Sequence, residues 1–304
     1  MSQDKAGNSV IIHIGFPKTA TTWLQKRYFP KVQNFKYIPP SVTNSDIVGC
    51  NDFFAQKIAL DWLKGNKIII SNENLLGLAR ISEFIRIGLA ERLKKLFPNA
   101  HIVIFIRNQI DLIASEYSWY IKNSGGTYNP NDFVFKSIRN PYGLFLYKLQ
   151  NLQYDKVIDL YQQLFGKKNI HIFLYEDLKN NPKFFLENFS KQFCFDVQLD
   201  LIDYSPINIM LRKRLLPLVR LLNFFSQPKI LYRHHFISLP YLGNYIPRIA
   251  GWLNNYSIWG DKPESNQVLG QVLTNELTNY FKESNQRLID HYALKEIKNY
   301  NYPL

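Results

Sequence analysis

The sequence predicts an α/β fold, with a central parallel sheet flanked by helices and a mostly helical C-terminal region. Short apolar runs, typical of strands buried on both faces, alternate with stretches of helical periodicity. Each run ends at a turn or at polar residues, and the alternation is lost after about residue 200. Strands that alternate with helices indicate a parallel sheet covered on both faces.

The predicted elements follow one another in regular order along the first two thirds of the chain. Strands are predicted at residues 10–14, 67–71, 101–106 and 170–174. Helices are predicted at 21–29, 52–63, 82–97 and 111–122, with a long terminal helix at 267–292. Ligands of parallel sheets bind beyond the carboxyl ends of the strands, so the residues that follow each strand are the first candidates for a site.

The length of 304 residues suits one large domain, and we expect a single domain over 1–304. Within it we expect a cofactor-binding α/β core at 8–200 and a helical, basic region at 201–304 on the acceptor side. No apolar run is long enough to span a membrane, and the first residues lack the layout of a secretory signal. The two cysteines show no metal-ligand or redox spacing. We therefore expect a cytoplasmic protein, either free or peripheral to a membrane, that needs no metal.

Positive charge is concentrated in one stretch of the chain. The net charge is +13, and no acidic residue occurs between Asp203 and Asp261. Three interpretations of residues 204–260 remain open: a wall of the acceptor cleft that suits a sugar or an anionic polysaccharide, a surface that rests on an anionic membrane and reaches a lipid, or a solvated basic face over an apolar core. Nucleic acid is not predicted, because no reading module is visible. The basic residues of the stretch are Arg212, Lys213, Arg214, Arg220, Lys229, Arg233 and Arg248, with His234 and His235.

The loop GFPKTATT at residues 15–22 follows the first predicted strand and opens a helix. This arrangement brings backbone N–H groups and the positive end of a helix dipole to one point, which is typical of a phosphate site. A basic turn capped by threonines is the structural alternative. The triphosphate loop GxxxxGK does not fit, because only two residues separate Gly15 from Lys18 and because Pro17 has no N–H to offer.

Three motifs together resemble the sulfotransferase family, whose members use 3′-phosphoadenosine 5′-phosphosulfate (PAPS). The family's first motif, PK-[ST]-G-[ST]-T-W, is similar to PKTATTW at residues 17–23, with Ala20 where glycine is usual. Its second motif pairs an arginine at a strand end with a serine eight positions later, as Arg107 and Ser115 do. Its third motif is similar to LYEDL at residues 174–178, which a proline follows at position 182.

The resemblance implies a role for each matching residue in binding PAPS and the product 3′,5′-adenosine bisphosphate (PAP). Trp23 would stack on the adenine, and Tyr175 would lie near it. Arg107 and Ser115 would bind the 3′-phosphate, although Arg107 could instead pair with a carboxylate such as Asp111. The family's late basic glycine motif is missing, and Arg212 is a candidate to replace its contact. The 5′-phosphosulfate would be held by Pro17, Lys18, Thr19, Ala20, Thr21 and Thr22.

Sulfuryl transfer to a hydroxyl also needs a group that stabilises the leaving phosphate and a base that takes the proton. Lys18 is our candidate for the first role, because its charge would act where negative charge develops. Glu73 is our candidate base, since the family takes its base from the corresponding strand end. His13 competes with it, although a histidine inside a strand is more often a core residue.

The sequence thus predicts a sulfotransferase that acts on an acceptor hydroxyl of a carbohydrate, a lipid or a small molecule. Two alternatives remain open at this point. One is an ATP-dependent kinase of related topology, which the missing triphosphate loop and the pair of Arg107 with Ser115 disfavour. The other is a non-catalytic protein that binds polyanions, in which Glu73 would have no purpose.

Overall fold

The computed structural model of the chain forms two compact units. The first contains Met1–Arg107 and Tyr154–Ile207, and the second contains Asn108–Gln153 and Asn208–Leu304. The structure describes residues 9–49, 67–77, 83–135, 149–207, 209–226, 239 and 241–304. The expectation of a single domain over 1–304 stays a prediction.

A five-stranded parallel sheet forms the centre of the first unit, with the strand order β2-β3-β1-β4-β5. The predicted parallel sheet is therefore confirmed, and four of its strands coincide with the predicted apolar runs. The strand β2 was not predicted, because it is only three residues long and two prolines follow it. The strands are β1 (Val10–His13), β2 (Lys36–Ile38), β3 (Ile68–Ser71), β4 (His101–Ile106) and β5 (Ile170–Leu174).

The inner strands of the sheet consist almost entirely of β-branched and other apolar residues. Every residue of β1 and β3 is buried, and so is all of β4 except its first residue. Side chains on both faces of a sheet are buried only when both faces are covered, which explains runs that do not alternate with polar residues. A cluster of phenylalanines, including Phe105, Phe185 and Phe189, packs with Trp23 in this unit.

Helices make up most of the rest of the described chain. The α-helices are α1 (Thr21–Trp23), α2 (Pro40–Thr43), α3 (Glu83–Leu96), α4 (Gln109–Asn123), α5 (Pro130–Phe135), α6 (Tyr154–Phe165), α7 (Tyr175–Asn180), α8 (Pro182–Phe193), α9 (Leu215–Asn223), α10 (Leu242–Leu253), α11 (Ser265–Leu269) and α12 (Gln271–Tyr292). Two π-helical segments are Leu24–Tyr28 and Asn44–Val48. The 3-10 segments are Phe29–Lys31, Glu73–Leu76, Leu149–Leu152, Lys167–Asn169, Leu199–Leu201, Ser257–Trp259 and Lys295–Tyr300.

Local capping explains where the structure departs from the predicted helix bounds. The helix predicted at 111–122 begins earlier, because the Asn108 side chain accepts hydrogen bonds from the N–H groups of Ile110 and Asp111. The terminal helix predicted at 267–292 is interrupted at Gly270. The φ of this glycine is 86°, which an α-helix cannot accommodate. The helix predicted at 52–63 lies outside the described residues.

The second unit is helical in its described part, as expected for the C-terminal region. Its central helix is α4, which packs against α9, α10, α11 and α12. A buried amide pair joins two of these helices: Gln109 donates to the Asn285 side chain at 2.7 Å, and Asn285 donates back at 3.1 Å. Among the described residues, no helix combines the length and the apolar character that crossing a membrane requires.

Candidate active site

Four polar features of the first unit follow the carboxyl ends of four neighbouring strands. The loop 15–22 follows β1, Glu73 follows β3, Arg107 follows β4 and Tyr175 follows β5. Because these strands are parallel and adjacent, all four features lie along one edge of the sheet.

The backbone of the loop 15–22 turns through two left-handed residues. Lys18 has a φ of 63° and Ala20 a φ of 62°, with Thr19 between them. The Thr19 hydroxyl donates to the Phe16 carbonyl at 2.5 Å, so it holds the turn closed. Residues in alternating left- and right-handed conformations direct successive N–H groups into a concavity that binds anions. The left-handed Ala20 also explains why glycine is usual at this position of the family's motif.

Gly15 is the point at which the loop passes closest to the sheet. A side chain of any size at this position would meet the buried His13, because a Cβ would lie 2.5 Å from its Nε2. His13 is fixed from the other side by a hydrogen bond of 2.8 Å between its Nδ1 and the Ser71 hydroxyl. Only glycine therefore lets the loop begin directly above this histidine.

Arg107 brings the three predicted motifs together. Its Nη1 donates to the Lys18 carbonyl at 2.9 Å, and its guanidinium lies over the Tyr175 ring at 4.5 Å. The Tyr154 hydroxyl donates to the Arg107 carbonyl at 2.6 Å, which fixes the backbone of the residue. Within the described part of the chain, Arg107 Nε is buried and has no hydrogen-bond partner. A buried guanidinium N–H without a protein acceptor is a donor that an anionic ligand can satisfy.

Glu73 lies beside the first motif, at the start of a 3-10 turn. Gln25 donates through the same side-chain amide to the Ser71 carbonyl and to Glu73 Oε2, each at 3.1 Å. Gln25 stands four residues after Thr21, one helical turn beyond the loop, and no motif drew attention to it. Its amide fixes one oxygen of the carboxylate and leaves the other for a second partner.

Tyr37 on β2 is a second neighbour of Glu73 that the sequence analysis missed. Its hydroxyl oxygen is buried and has no hydrogen-bond partner in the described part of the protein. Burial and the negative charge of Glu73 both raise the pKa of this hydroxyl, so it stays protonated and remains a donor. It was missed because β2 itself was not predicted.

His13 is wholly enclosed by the sheet and by aromatic rings. Its ring lies against Phe105 with centroids 5.2 Å apart, and burial lowers its pKa to about 3. An imidazole with this pKa is neutral near pH 7 and is a weak proton acceptor there. The position therefore resembles the core histidine that strand membership suggests, and Glu73 is the better candidate base.

Trp23 is almost completely buried at the end of α1. Its indole N–H donates to the Ser205 carbonyl at 3.2 Å, and its ring centroid lies 6.2 Å from that of Tyr204. The buried position leaves little of the ring for a ligand, and its role at an adenine stays a prediction.

The two remaining candidates belong to the second unit. Ser115 is half-buried on α4. Arg212 donates to the carbonyls of Asn254 and Gly260 at 2.8 Å and 2.7 Å, so part of its guanidinium holds the backbone of its own unit. The roles of both residues at a cofactor stay predictions.

The family model described as sulfotransferase domain matches residues 8–191, which is more than half of the chain. The chain belongs to the sulfotransferase family. It is therefore a transferase, and the match covers the loop, Glu73, Arg107, Ser115 and Tyr175. Family membership favours a sulfotransferase over a kinase or a polyanion-binding protein. No curated protein sequence matches the chain.

Three solved structures are among those similar to the chain. A sulfotransferase from Alicyclobacillus acidocaldarius is 14% identical, covers 94% of this chain and 96% of its own, and has a TM-score of 0.45. Mouse sulfotransferase SULT7A1 complexed with PAP is 14% identical over 95% of this chain and 88% of its own, with a TM-score of 0.48. The sulfotransferase domain from the curacin biosynthetic pathway is 12% identical over 89% and 99%, with a TM-score of 0.35. The family assignment rests on the family model and not on these likenesses.

Proposed function

We propose that the protein transfers a sulfuryl group from PAPS to an acceptor hydroxyl and releases PAP. The observation that carries the proposal is the position of Arg107, which contacts the carbonyl of Lys18 and the ring of Tyr175. This contact joins three motifs that are far apart in sequence. Sequence motifs that meet around a buried, unsatisfied donor support one shared ligand.

The chemistry of the available donors fits a ligand with two anionic groups. The loop 15–22 offers backbone N–H groups around its two left-handed residues, together with the charge of Lys18. Arg107 offers a separate buried donor, Nε, that no described residue of the chain satisfies. PAPS carries a 5′-phosphosulfate and a 3′-phosphate, and we assign the loop to the first and Arg107 to the second.

Bound PAPS supplies the sulfuryl group, and the remaining requirements of the reaction fall to the side chains of this chain. The acceptor oxygen forms a bond to sulfur as the bond from sulfur to the phosphate oxygen breaks. The Lys18 ammonium stabilises the charge that develops on that phosphate oxygen, which is an electrostatic contribution of the oxyanion-hole kind. The loop N–H groups and Thr21 hold the sulfuryl oxygens.

We assign the removal of the acceptor proton to Glu73. The Gln25 amide holds Oε2 of the carboxylate, which leaves Oε1 as the atom that accepts the proton. The Tyr37 hydroxyl is a protonated neighbour of this carboxylate, because burial and the charge of Glu73 raise its pKa. A base that is fixed in orientation avoids part of the entropic cost of proton transfer.

A comparison of nucleotides tests the donor assignment. Titration calorimetry of the whole protein should give clear binding of PAP and little or none of ATP. Lys18→Ala should lower the turnover number by about a hundredfold or more, as expected for the loss of a group that acts on transition-state charge. The matched control is Lys26→Ala, because Lys26 is exposed and lies five residues after the start of α1 at Thr21.

Tight binding of ATP together with indifference to PAP would overturn the assignment of the donor. Equal loss of turnover in Lys18→Ala and Lys26→Ala would overturn the role of Lys18. For the acceptor we propose a hydroxyl of a carbohydrate, a lipid or a small molecule. Incubation of the protein with radiolabelled PAPS and a host extract, followed by fractionation, would identify which of these classes takes up the label.

A further inference from the structure

A stripe of exposed aromatic and aliphatic side chains runs along α10 in the second unit. Three members lie on the helix itself at spacings of four and three residues, which places them on one side of it, and one tyrosine flanks each end. Their exposed fractions run from 46% for Tyr256 to 72% for Tyr241. We call this stripe the α10 face, and it consists of Tyr241, Tyr245, Ile249, Trp252 and Tyr256.

The α10 face is not the side by which the helix packs into its own unit. The buried side of α10 consists of Gly243, Ile246 and Ala250, and the helix packs against α9 and α4. The helix is therefore apolar on both sides, although only one side is needed for the core. A helix that is apolar beyond its core side has a second apolar partner.

Other exposed apolar side chains occur on the segments around α10. The helix α9, which packs against α10, exposes Leu221 and Leu222. The turn that follows Tyr256 exposes Ile258 to 74%. Single apolar residues on a surface are common, but a periodic stripe with further members on adjoining segments indicates an interaction surface.

Basic residues lie around the α10 face, and Asp261, whose carbonyl accepts the Lys213 N–H at 3.1 Å, is an acidic residue close to them. Arg248 is exposed on α10 and directly precedes Ile249. Lys213 and Arg214 are exposed as well, and the Arg214 N–H donates to the Trp259 carbonyl at 3.0 Å, beside the end of the stripe. No acidic residue occurs anywhere in residues 204–260.

We infer that the α10 face is a docking surface for an anionic phospholipid bilayer. Tyrosine and tryptophan suit the boundary between headgroups and acyl chains, and flanking arginine and lysine are attracted to anionic headgroups. A helix that lies in the plane of a membrane combines these two features on one side. The inference goes beyond the proposed reaction and does not depend on it.

Two other occupants fit the surface less well. A second copy of the chain in a twofold contact would bring Arg248 towards the same residue of the other copy, which the repulsion of like charges opposes. A soluble polyanion would be held by the basic residues alone and would leave Ile249 and Trp252 exposed. Both are outcomes that the experiment distinguishes.

Co-sedimentation with lipid vesicles tests the inference on the whole protein. We expect binding to vesicles of phosphatidylglycerol and phosphatidylcholine in equal parts, and much weaker binding to phosphatidylcholine alone. Trp252→Ser should lower the partition coefficient about tenfold, and Arg248→Gln about fivefold, as expected for the loss of apolar burial and of one basic contact. The matched control is Val272→Ser, which alters an apolar residue on α12 that is even more exposed than Trp252 and should bind as the parent does.

Four results would overturn the inference: no sedimentation of the parent with anionic vesicles, equal binding to both kinds of vesicle, parental binding by Trp252→Ser, or equal losses in Trp252→Ser and Val272→Ser. Sedimentation equilibrium tests a fifth result. If the parent were a dimer and Trp252→Ser made it a monomer, the α10 face would be assigned to a second copy of the chain. Parental unfolding temperatures of all three variants exclude loss of fold as the cause of weak binding.

Discussion

The loop 15–22 and the α10 face depart in opposite ways from the usual sorting of residues in a folded protein. At the loop, polar groups are buried: Thr19 and Thr21 lie inside, and the buried Nε of Arg107 has no hydrogen-bond partner among the described residues. On the α10 face, large apolar groups such as Tyr245 and Trp252 are exposed. An unsatisfied buried donor and an exposed apolar stripe each cost free energy in the isolated chain, and a partner of matching chemistry would relieve that cost.

The two regions also differ in how the sequence encodes them. The loop depends on a few residues at fixed spacing, and Lys18, Thr19 and Thr21 each make an individual hydrogen bond in the structure. The α10 face depends on a periodicity and on the absence of acidic residues over a long stretch. Single substitutions should therefore have large and specific effects in the first region, and smaller, cumulative ones in the second.

The largest effect is expected from the carboxylate beside the loop. Glu73→Gln should lower the turnover number by about a hundredfold to ten thousandfold, because the amide cannot take the acceptor proton. The affinity for PAP should stay near the parental value, since the substitution leaves the loop intact. Steady-state assays and calorimetry on the same preparations measure the two quantities.

Glu91→Gln serves as the control for this prediction, because Glu91 is exposed on α3. Parental turnover by Glu73→Gln would mean that another group is the base. If turnover on a soluble acceptor fell with Trp252→Ser instead, the comparison of the two regions would change, because the α10 face would then belong to the acceptor site.

An intermediate effect is expected from Arg107→Lys. A lysine cannot reproduce the planar set of donors, so PAP should bind about tenfold to a hundredfold more weakly. The affinity for AMP, which lacks the 3′-phosphate, should fall by less than about threefold, because AMP does not use the contact with that phosphate. Calorimetry with the two nucleotides measures both changes.

The role of Arg107 is tested by whether the substitution lowers the affinity for PAP more than the affinity for AMP. If PAP and AMP lost affinity equally, Arg107 would act by holding the carbonyl of Lys18 and hence the shape of the loop. That outcome would contradict its assignment to the 3′-phosphate and would leave the proposed loop site intact.

Patterns with short-range causes were accessible from the sequence alone. Four strands followed from apolar runs, and the family followed from three motifs at strand ends. Features that depend on contacts between distant segments were not accessible. Gln25 and Tyr37 have ordinary sequence surroundings, and only the folded chain brings them to Glu73.

Other departures have identifiable local causes. The strand β2 was missed because three residues are too few for a pattern, and the break in the terminal helix was missed because a lone glycine is often tolerated inside a helix. The sequence showed Ala20 only as a departure from the usual glycine, whereas the structure gives it a left-handed conformation.

The tight passage of the loop over His13 predicts a loss of stability on substitution. Gly15→Ala should lower the free energy of unfolding by about 1–3 kcal/mol, because the added Cβ meets a buried ring that cannot move away. Gly88→Ala is the matched control: that glycine is exposed in α3 with open space around it, so alanine should raise the free energy by about 1 kcal/mol. Denaturant titration measures the change in the free energy of unfolding for both variants. Changes of the same sign would contradict the close approach at Gly15.

The smallest effect on stability is expected from replacing an alanine that has a left-handed backbone. Each unit contains one such alanine that can be compared with the other. Ala20 has a φ of 62° and Ala293 a φ of 57°. Glycine relieves about 1–2 kcal/mol of local strain at such a position but loses about 0.4–1 kcal/mol through the entropy of the unfolded chain. Each of Ala20→Gly and Ala293→Gly should therefore raise the free energy of unfolding by about 0.5–1 kcal/mol in denaturant titrations. PAP affinity should stay within about twofold in both, because the loop already holds the backbone angles that glycine prefers. A tenfold change in Ala20→Gly alone would mean that the alanine methyl group itself contacts the ligand.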